Sequence, residues 1–299
     1  PTGLHLPNSA FVQPNTPQED KYRSGLVLQN WRTLLDLTAK PGLDRITHVI
    51  WPEAAPPFLL SEETVALDEI AEVLPPGVPL LTGAVRIDRT RAFDDRPFFN
   101  SFYVVDSEGR IESTYDKAHL VPFGEYMPFA GILDDWGITK IVQLPGGLRE
   151  GPGPRTLSVS GAPPFGPLIC YEIIFPGAAI DPAARPRWLV NVTDDSWFAD
   201  TSGPRQHLAI ARVRAVEEGL PVVRAANTGI STVIDPYGRT DEKIAYGTAG
   251  ILDVSLPVSL PLTVYGQWKD YISIAMWLFV FLAGVVFPKV LREIQPQVE

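Results

Sequence analysis

Residues 188–234 read WLVNVTDDSWFADTSGPRQHLAIARVRAVEEGLPVVRAANTGISTVI, and this stretch decides the fold class. Residues 188–192, 222–225 and 230–234 are short runs rich in Val, Ile and Trp, bounded by Asp, Gly or Pro, which predicts strands. Between the first two, residues 206–219 follow Pro204 and place Leu208, Ala211 and Ala215 at helical spacing. The run ends on Gly219, which predicts a helix. Strand, helix and strand in that order make an α/β unit.

Working outward, the alternation continues. Further strands are expected at 10–13, 46–51, 79–86, 98–105 and 166–170, and helices at 20–39 and 61–74. No internal repeat and no low-complexity tract interrupts it. With 45% apolar and 20% charged residues over 299 positions, the chain has material for a sizeable core, which excludes a disordered protein. Lys and Arg number 25 against 35 Asp and Glu, a net charge of −10, so no basic stripe is available for nucleic acid. Cys170 is the single cysteine, which excludes an internal disulfide and any paired-cysteine zinc or redox site. His5, His48, His119 and His207 are scattered without ligand spacing, so neither metal nor cofactor is expected. The 30 prolines imply many fixed turns.

The composition changes after residue 255. LPVSLP at 256–261 reads as a stiff connector, and YISIAMWLFVFLAGVVF at 271–287 carries no charge. As a helix that run spans roughly 25 Å, the short end of a bilayer core. Trp268 and Lys269 precede it, Tyr271 opens it, and Lys289 and Arg292 follow, as interfacial anchors do. A buried core helix is the alternative; a C-terminal transmembrane helix fits the linker and the aromatic content better. The expected division is therefore a catalytic domain over 1–255, a linker over 256–268, and a membrane helix with a short tail over 269–292. The two cations after the run against one before it place its C-terminus in the cytoplasm and the large domain outside. The chain starts at Pro1 without an initiator Met or a signal peptide, and is expected to be the C-terminal part of a longer protein.

Three segments can carry chemistry. Cys170 in PLICYEIIFP ends an apolar strand, where a strand-to-helix turn lifts a side chain into a cleft beside free backbone N–H groups. The alternative is a buried cysteine acting as a small hydrophobe. Glu53 in HVIWPEAAPPF follows a strand stopped by Pro52, among apolar neighbours that desolvate a carboxylate and make it a usable base. The alternative is an ordinary loop glutamate. Lys117 in STYDKAHLVPFGEYMPF sits among Tyr115, His119, Leu120 and Phe123, more enclosed than a lysine in a charged run; the alternative is a snorkelling surface lysine. Glu125 is a second carboxylate in the same apolar setting. Each follows a hydrophobic strand, where α/β sheets place their sites. A carboxylate can take the thiol proton, an ammonium can stabilise the thiolate, and the sulfur can then attack a carbonyl to form a thioester.

WPEAAPPF, YDKAHLVPFGEYMPF, ICYEIIFP and residues 206–239 resemble the carbon–nitrogen hydrolase (nitrilase) superfamily, over residues 8–255. FGEYMP, RAANTGIS and the terminal apolar run are similar to its apolipoprotein N-acyltransferase branch rather than to soluble amidases. The resemblance implies an αββα sandwich with Glu53 as general base, Lys117 as stabiliser of oxyanion and thiolate, and Cys170 as nucleophile. It also implies supporting roles for Glu125, Asn100, Tyr171 and Glu172, with the Tyr171 N–H in the oxyanion hole. Substrate contacts would come from Tyr22, Tyr126 and Trp197, under a mobile lid over about 125–135. The implied reaction is ping-pong at a bacterial inner membrane, with the catalytic domain on the outer, periplasmic side. A phospholipid donates an acyl chain to Cys170, and the amine of a diacylglyceryl-cysteine lipoprotein accepts it. Alternatives are a membrane-tethered amidase using the same residues and a catalytically dead binding module, which intact Glu53, Lys117 and Cys170 argue against. The chain departs from the branch in Tyr22, where Trp is common, in Asp194 for Asn, in Ala199 for Gly, and in lacking N-terminal membrane helices.

Overall fold

Strands whose neighbours pair on both sides read as near-continuous apolar runs, and HVIW and WLVNVT, buried at every position, are of this kind. In a computed structural model, which describes residues 7–40, 45–91, 96–126 and 147–294, such runs form the middles of two six-stranded sheets. One sheet has the order β12-β1-β2-β3-β4-β5, formed by Gly250–Ser255, Asn8–Gln13, His48–Trp51, Leu80–Ile87, Phe98–Val105 and Ile111–Asp116. The other has the order β11-β10-β9-β8-β7-β6, formed by Thr240–Ile244, Ser231–Ile234, Val222–Ala226, Trp188–Thr193, Ala162–Ile169 and Leu157–Val159. In each sheet three central strands run parallel, and the flanking pairings are antiparallel.

Side chains alternate across each strand, so every central strand feeds two cores. Phe11, Ile50 and Phe102 of one sheet meet Phe165, Trp188 and Val190 of the other. The opposite face of the first sheet, with Val49, Trp51 and Leu80, is covered by α1 (Val27–Thr38) and α2 (Thr64–Val73) through Trp31, Leu34 and Ile70. The outer face of the second sheet is covered by α3 (Gly203–Glu218) through Ala211 and Ala215. The order of layers is helix, sheet, sheet, helix. The expected αββα arrangement is therefore present.

Several boundaries differ from the sequence-based expectation. The first helix begins at Val27 rather than at 20, because Asn30 Nδ2 donates to the carbonyls of Asp20 and Lys21 and draws that segment into turns. The stretch 61–74 splits at Glu63, whose extended ψ of 84° separates a short turn at Leu60–Glu62 from α2. Strands β5, β6, β11 and β12 are absent from the expectation. All four are sheet edges, and sequences such as TDEKI and IESTYD are polar because one side of such a strand faces water.

Beyond β12, Leu256 is buried in the core between the sheets, and the connector includes a short helix, α4 (Val264–Trp268). The apolar run forms α5 (Tyr271–Ile294), with Trp277, Phe279 and Phe281 exposed. Side chains beyond Gly284 and the lid from residue 127 onward lie outside the described residues. Among the described residues no helix is long and apolar enough to cross a membrane, so the expected span is not established by the structure.

Candidate active site

The site forms where the C-terminal ends of the parallel strands from both sheets face each other. Strand β7 stops at Ile169, and Cys170 opens a tight turn with φ of 53°. That left-handed conformation costs a non-glycine residue about 1–3 kcal/mol and persists only where its surroundings impose it. Asn191 Nδ2 (3.1 Å) and His207 Nε2 (3.3 Å) both reach the Cys170 carbonyl and fix the turn. Arg224 and Asp195 buttress this pair from behind: Asp195 contacts His207 Nδ1 at 2.9 Å and accepts from Arg224 at 2.6 Å.

Glu172 ties the turn to a second strand end. Its Oε2 accepts from Ile169 N–H at 2.8 Å. Its Oε1 accepts from Ala118 N–H (2.6 Å), His119 N–H (3.1 Å) and the Tyr115 hydroxyl (2.8 Å). One buried carboxylate thus clamps the segment carrying Lys117 to the segment carrying Cys170. Lys117 itself is 1% exposed, and its Nζ lies 2.9 and 2.8 Å from the two oxygens of Glu125 and 4.0 Å from Glu53.

Glu53 follows β2 after Pro52. Its Oε1 accepts from Asn100 Nδ2 at 2.7 Å, and its Oε2 accepts from Asp194 N–H at 2.9 Å. The neighbouring strand β3 leaves no room: a Cβ on Gly83 would stand 2.6 Å from Glu53 Cα. Ala54, with φ of 44°, completes the strained turn that aims the carboxylate.

Glu53, Lys117 and Cys170 line one cavity of about 700 Å³, with Asn100, Glu125 and Tyr171. Pro57, Phe58, Leu59, Val85, Phe98 and Leu148 give it an apolar wall. Tyr22 and Trp197 stand half-exposed on its rim. Tyr126 is exposed beyond Glu125 and does not line it, and Glu172 acts from beneath.

Burial pushes the Glu53 carboxyl up, helped by Glu125 and Asp194 and opposed by Lys117 and the Asn100 hydrogen bond. Burial alone would lower the Lys117 ammonium, but Glu125, Glu53 and Cys170 outweigh it and raise its proton affinity. Burial and Glu53 raise the Cys170 thiol well above its ordinary value, against Lys117 and the Thr193 hydrogen bond. Burial thus favours the uncharged form of both the Glu53 carboxyl and the Cys170 thiol, while the neighbouring Lys117 ammonium favours the charged form of each.

The carbon-nitrogen hydrolase family model matches residues 10–260. The chain belongs to the carbon-nitrogen hydrolase family. Within this family it is similar to proteins named apolipoprotein N-acyltransferase. It is 45% identical over 267 residues to that of Bradyrhizobium diazoefficiens, covering 87% of this chain and 50% of the relative. It is 46% identical over 249 residues to that of Agrobacterium fabrum, covering 82% and 47%. The chain spans about half the length of the curated relatives it matches. Its fold is also similar to that of an amidase from Nesterenkonia sp., with a TM-score of 0.58 and 19% identity over 93% of this chain and all of that one.

Sequence reasoning about this carbon-nitrogen hydrolase missed Lys21, Asn191, Asp195, His207 and Arg224, and treated Asp194 only as a departure. Lys21 and Arg224 are lone basic residues in unremarkable contexts, yet they are 4% and 0% exposed. The one available signal was DD at 194–195 directly after a fully apolar strand, two carboxylates where burial demands cations.

Proposed function

We propose that this chain is the catalytic part of a membrane acyltransferase that moves an acyl chain from a phospholipid to the terminal amine of a diacylglyceryl-cysteine lipoprotein. The observation that carries the reading is the convergence of Glu53, Lys117 and Cys170 on one largely apolar cavity, which suits a fatty chain better than a small amide. The names of the relatives at 45–46% identity support the same substrate pair.

In the first half-reaction, Cys170 Sγ attacks the ester carbonyl while its proton passes to Glu53. The oxyanion collects opposite Lys117 and the Tyr171 N–H. The C–O bond then breaks, and Glu53 returns the proton to the departing lysophospholipid hydroxyl, which leaves a thioester. In the second half-reaction the lipoprotein amine attacks that thioester. Glu53 takes the amine proton and gives it to the leaving sulfur, which restores the thiol and forms the amide. Asn100 and Glu125 hold Glu53 and Lys117 in register throughout.

Helix α5 is read as the membrane anchor, on the support of its exposed Trp277, Phe279 and Phe281. The placement that follows is a bacterial inner membrane with the catalytic domain on the outer side.

Incubation with a phospholipid carrying a labelled acyl chain is expected to label Cys170 as a hydroxylamine-sensitive thioester. A diacylated lipopeptide should then remove the label as an N-acyl peptide. Cys170→Ala abolishes labelling, and Glu53→Gln slows it by roughly 10² or more. Release of free fatty acid without N-acyl peptide would instead establish a hydrolase using the same residues, and an unmodified thiol would defeat the scheme.

A further inference from the structure

The charges nearest the base include a pair that the reaction above does not use. Lys21, in the turn before α1, donates from Nζ to the Glu53 carbonyl (3.1 Å) and to Asp194 Oδ2 (2.7 Å). Asp194, after β8 of the other sheet, donates its backbone N–H to Glu53 Oε2 at 2.9 Å. Its second oxygen accepts from Ser196 N–H (3.2 Å), Ser196 Oγ (2.6 Å) and Asn227 Nδ2 (3.1 Å). Both partners are almost wholly buried, at 6% and 3% side-chain exposure. Asn100 holds Oε1, this pair holds Oε2 and the main-chain carbonyl, and the Lys117 ammonium stands 4.0 Å from the carboxylate.

We propose that Lys21 and Asp194 are positioning residues for Glu53, a self-neutralising ion pair that holds the main chain and carboxylate of the base in place and cancels the field each partner alone would impose on it. The proposal rests on the reading of Glu53 as the base. A buried ion pair is a weak source of stability, because desolvation offsets most of the Coulombic gain. Its consequence here lies in what each half does when the other is removed. The titratable groups facing Glu53 are Lys117 and Glu125 beyond β5, Cys170 beyond β7, Asp194 beyond β8, and Lys21 with Tyr22 ahead of α1. Lys21→Met leaves the Asp194 carboxylate uncompensated next to Glu53, and the added negative charge makes the site hold its protons more tightly. Asp194→Asn leaves the Lys21 ammonium against the Glu53 carbonyl, and the added positive charge loosens them. The two single substitutions act in opposite directions, and together they cancel.

The test is the pH dependence of Cys170 alkylation by iodoacetamide, followed by mass spectrometry on the chain and its variants. This reads proton loss from the coupled Glu53–Cys170 site without any lipid. Lys21→Met is expected to move the profile up by about one pH unit, and Asp194→Asn to move it down by a similar amount, as a charge within 4–6 Å does. Lys21→Met combined with Asp194→Asn should fall within about 0.3 unit of the parent. Lys21→Arg, which keeps the charge, should hold the parental profile. Shifts of the same sign, no shift in either single variant, or a double variant displaced as far as a single one would overturn the proposal. Should a single variant fail to fold, the neutral double variant and Lys21→Arg carry the decision. Opposed shifts in a protein that no phospholipid acylates would leave the pair's role intact and remove only the acyl-transfer reading. Their absence in a protein that is acylated would remove only the pair's role.

Discussion

The two sheets have the same construction and do different work. Read from one edge to the other, β12-β1-β2-β3-β4-β5 and β6-β7-β8-β9-β10-β11 show the same sequence of antiparallel, parallel, parallel, antiparallel and antiparallel pairings. No repeat of residues accompanies this repeat of pairings. The halves part company after their first parallel strand. Strand β1 leads through the Lys21 turn into α1, whereas β7 leads directly into the turn at Cys170 and a long irregular connection. After the middle strand one half places Glu53 and the other Asp194, and these two meet across the interface. A helical crossover carries its chain away from the strand end. A strained turn keeps the sulfur there, where the other half's carboxylate and ammonium can reach it. Glu53 and Lys117 therefore come from one half and Cys170 from the other, so the geometry of the cavity depends on how the halves are joined.

The largest expected effect follows from cutting that join. Glu172 accepts four hydrogen bonds, three of them from the segment around Lys117 and one from the end of β7. In Glu172→Gln the amide keeps one acceptor oxygen and turns an NH₂ toward donors. The buried mismatch should cost about 3 kcal/mol in stability, visible in the urea midpoint. Thioester formation at Cys170 should fall at least 10²-fold, since misplacement by about 1 Å costs that much. A variant with parental stability and labelling would show that the halves are aligned by something other than this clamp.

Acid should weaken the same interface from another side. His48 in β2 packs its ring against Trp188 in β8 at 5.0 Å, with Ser9 at 2.7 Å and Thr47 at 2.9 Å on its nitrogens. Burial lowers its pKa from 6.5 to about 3. The unfolded chain takes up a proton near pH 6.5 that the folded ring refuses, so this contribution is complete above pH 6.5. It declines as pH falls toward 3. Two units below 6.5, at pH 4.5, the loss is about 3 kcal/mol. His48→Gln should flatten the difference in unfolding free energy between pH 7 and 4.5 by that amount, and an unchanged slope would assign acid sensitivity to other groups.

How far the sequence could be read follows the same division between inside and edge. All eight expected strands are the interior ones, because burial on both faces leaves continuous apolar runs such as HVIW and WLVNVT. The edges β5, β6, β11 and β12 have half that constraint, and their residues look like loop. Glu53, Lys117 and Cys170 were legible as reactive types after apolar strands. The residues that hold them were not. Lys21 and Asp194 are 173 positions apart, and nothing local in EDKY or VTDD announces a partner across two sheets. Glu172 was expected beside the nucleophile, but its position as a clamp beneath the cavity depends on donors 53 to 57 residues away.

The smallest effect concerns a single residue at the mouth of the second half. Ala199 closes the turn Asp195–Phe198 with φ of 48° and ψ of −159°, a conformation that is essentially confined to glycine. The turn carries Trp197 and Phe198 to the cavity, and Asp194 caps it by accepting from Ser196 N–H. A Cβ in that conformation stores strain that glycine would release, while glycine's freer unfolded chain offsets part of the gain. Ala199→Gly should therefore stabilise by about 1 kcal/mol and raise the melting temperature by about 2 °C. The first half has its counterpart in Ala54, with φ of 44°, immediately after Glu53. There the gain from glycine should be accompanied by slower labelling of Cys170, because Ala54 adjoins Glu53 in the cavity wall while Ala199 lies beyond the cavity's lining. If Ala199→Gly also slows labelling to the same extent, the strain in the two halves serves one purpose, and the second turn positions substrate as closely as the first positions Glu53.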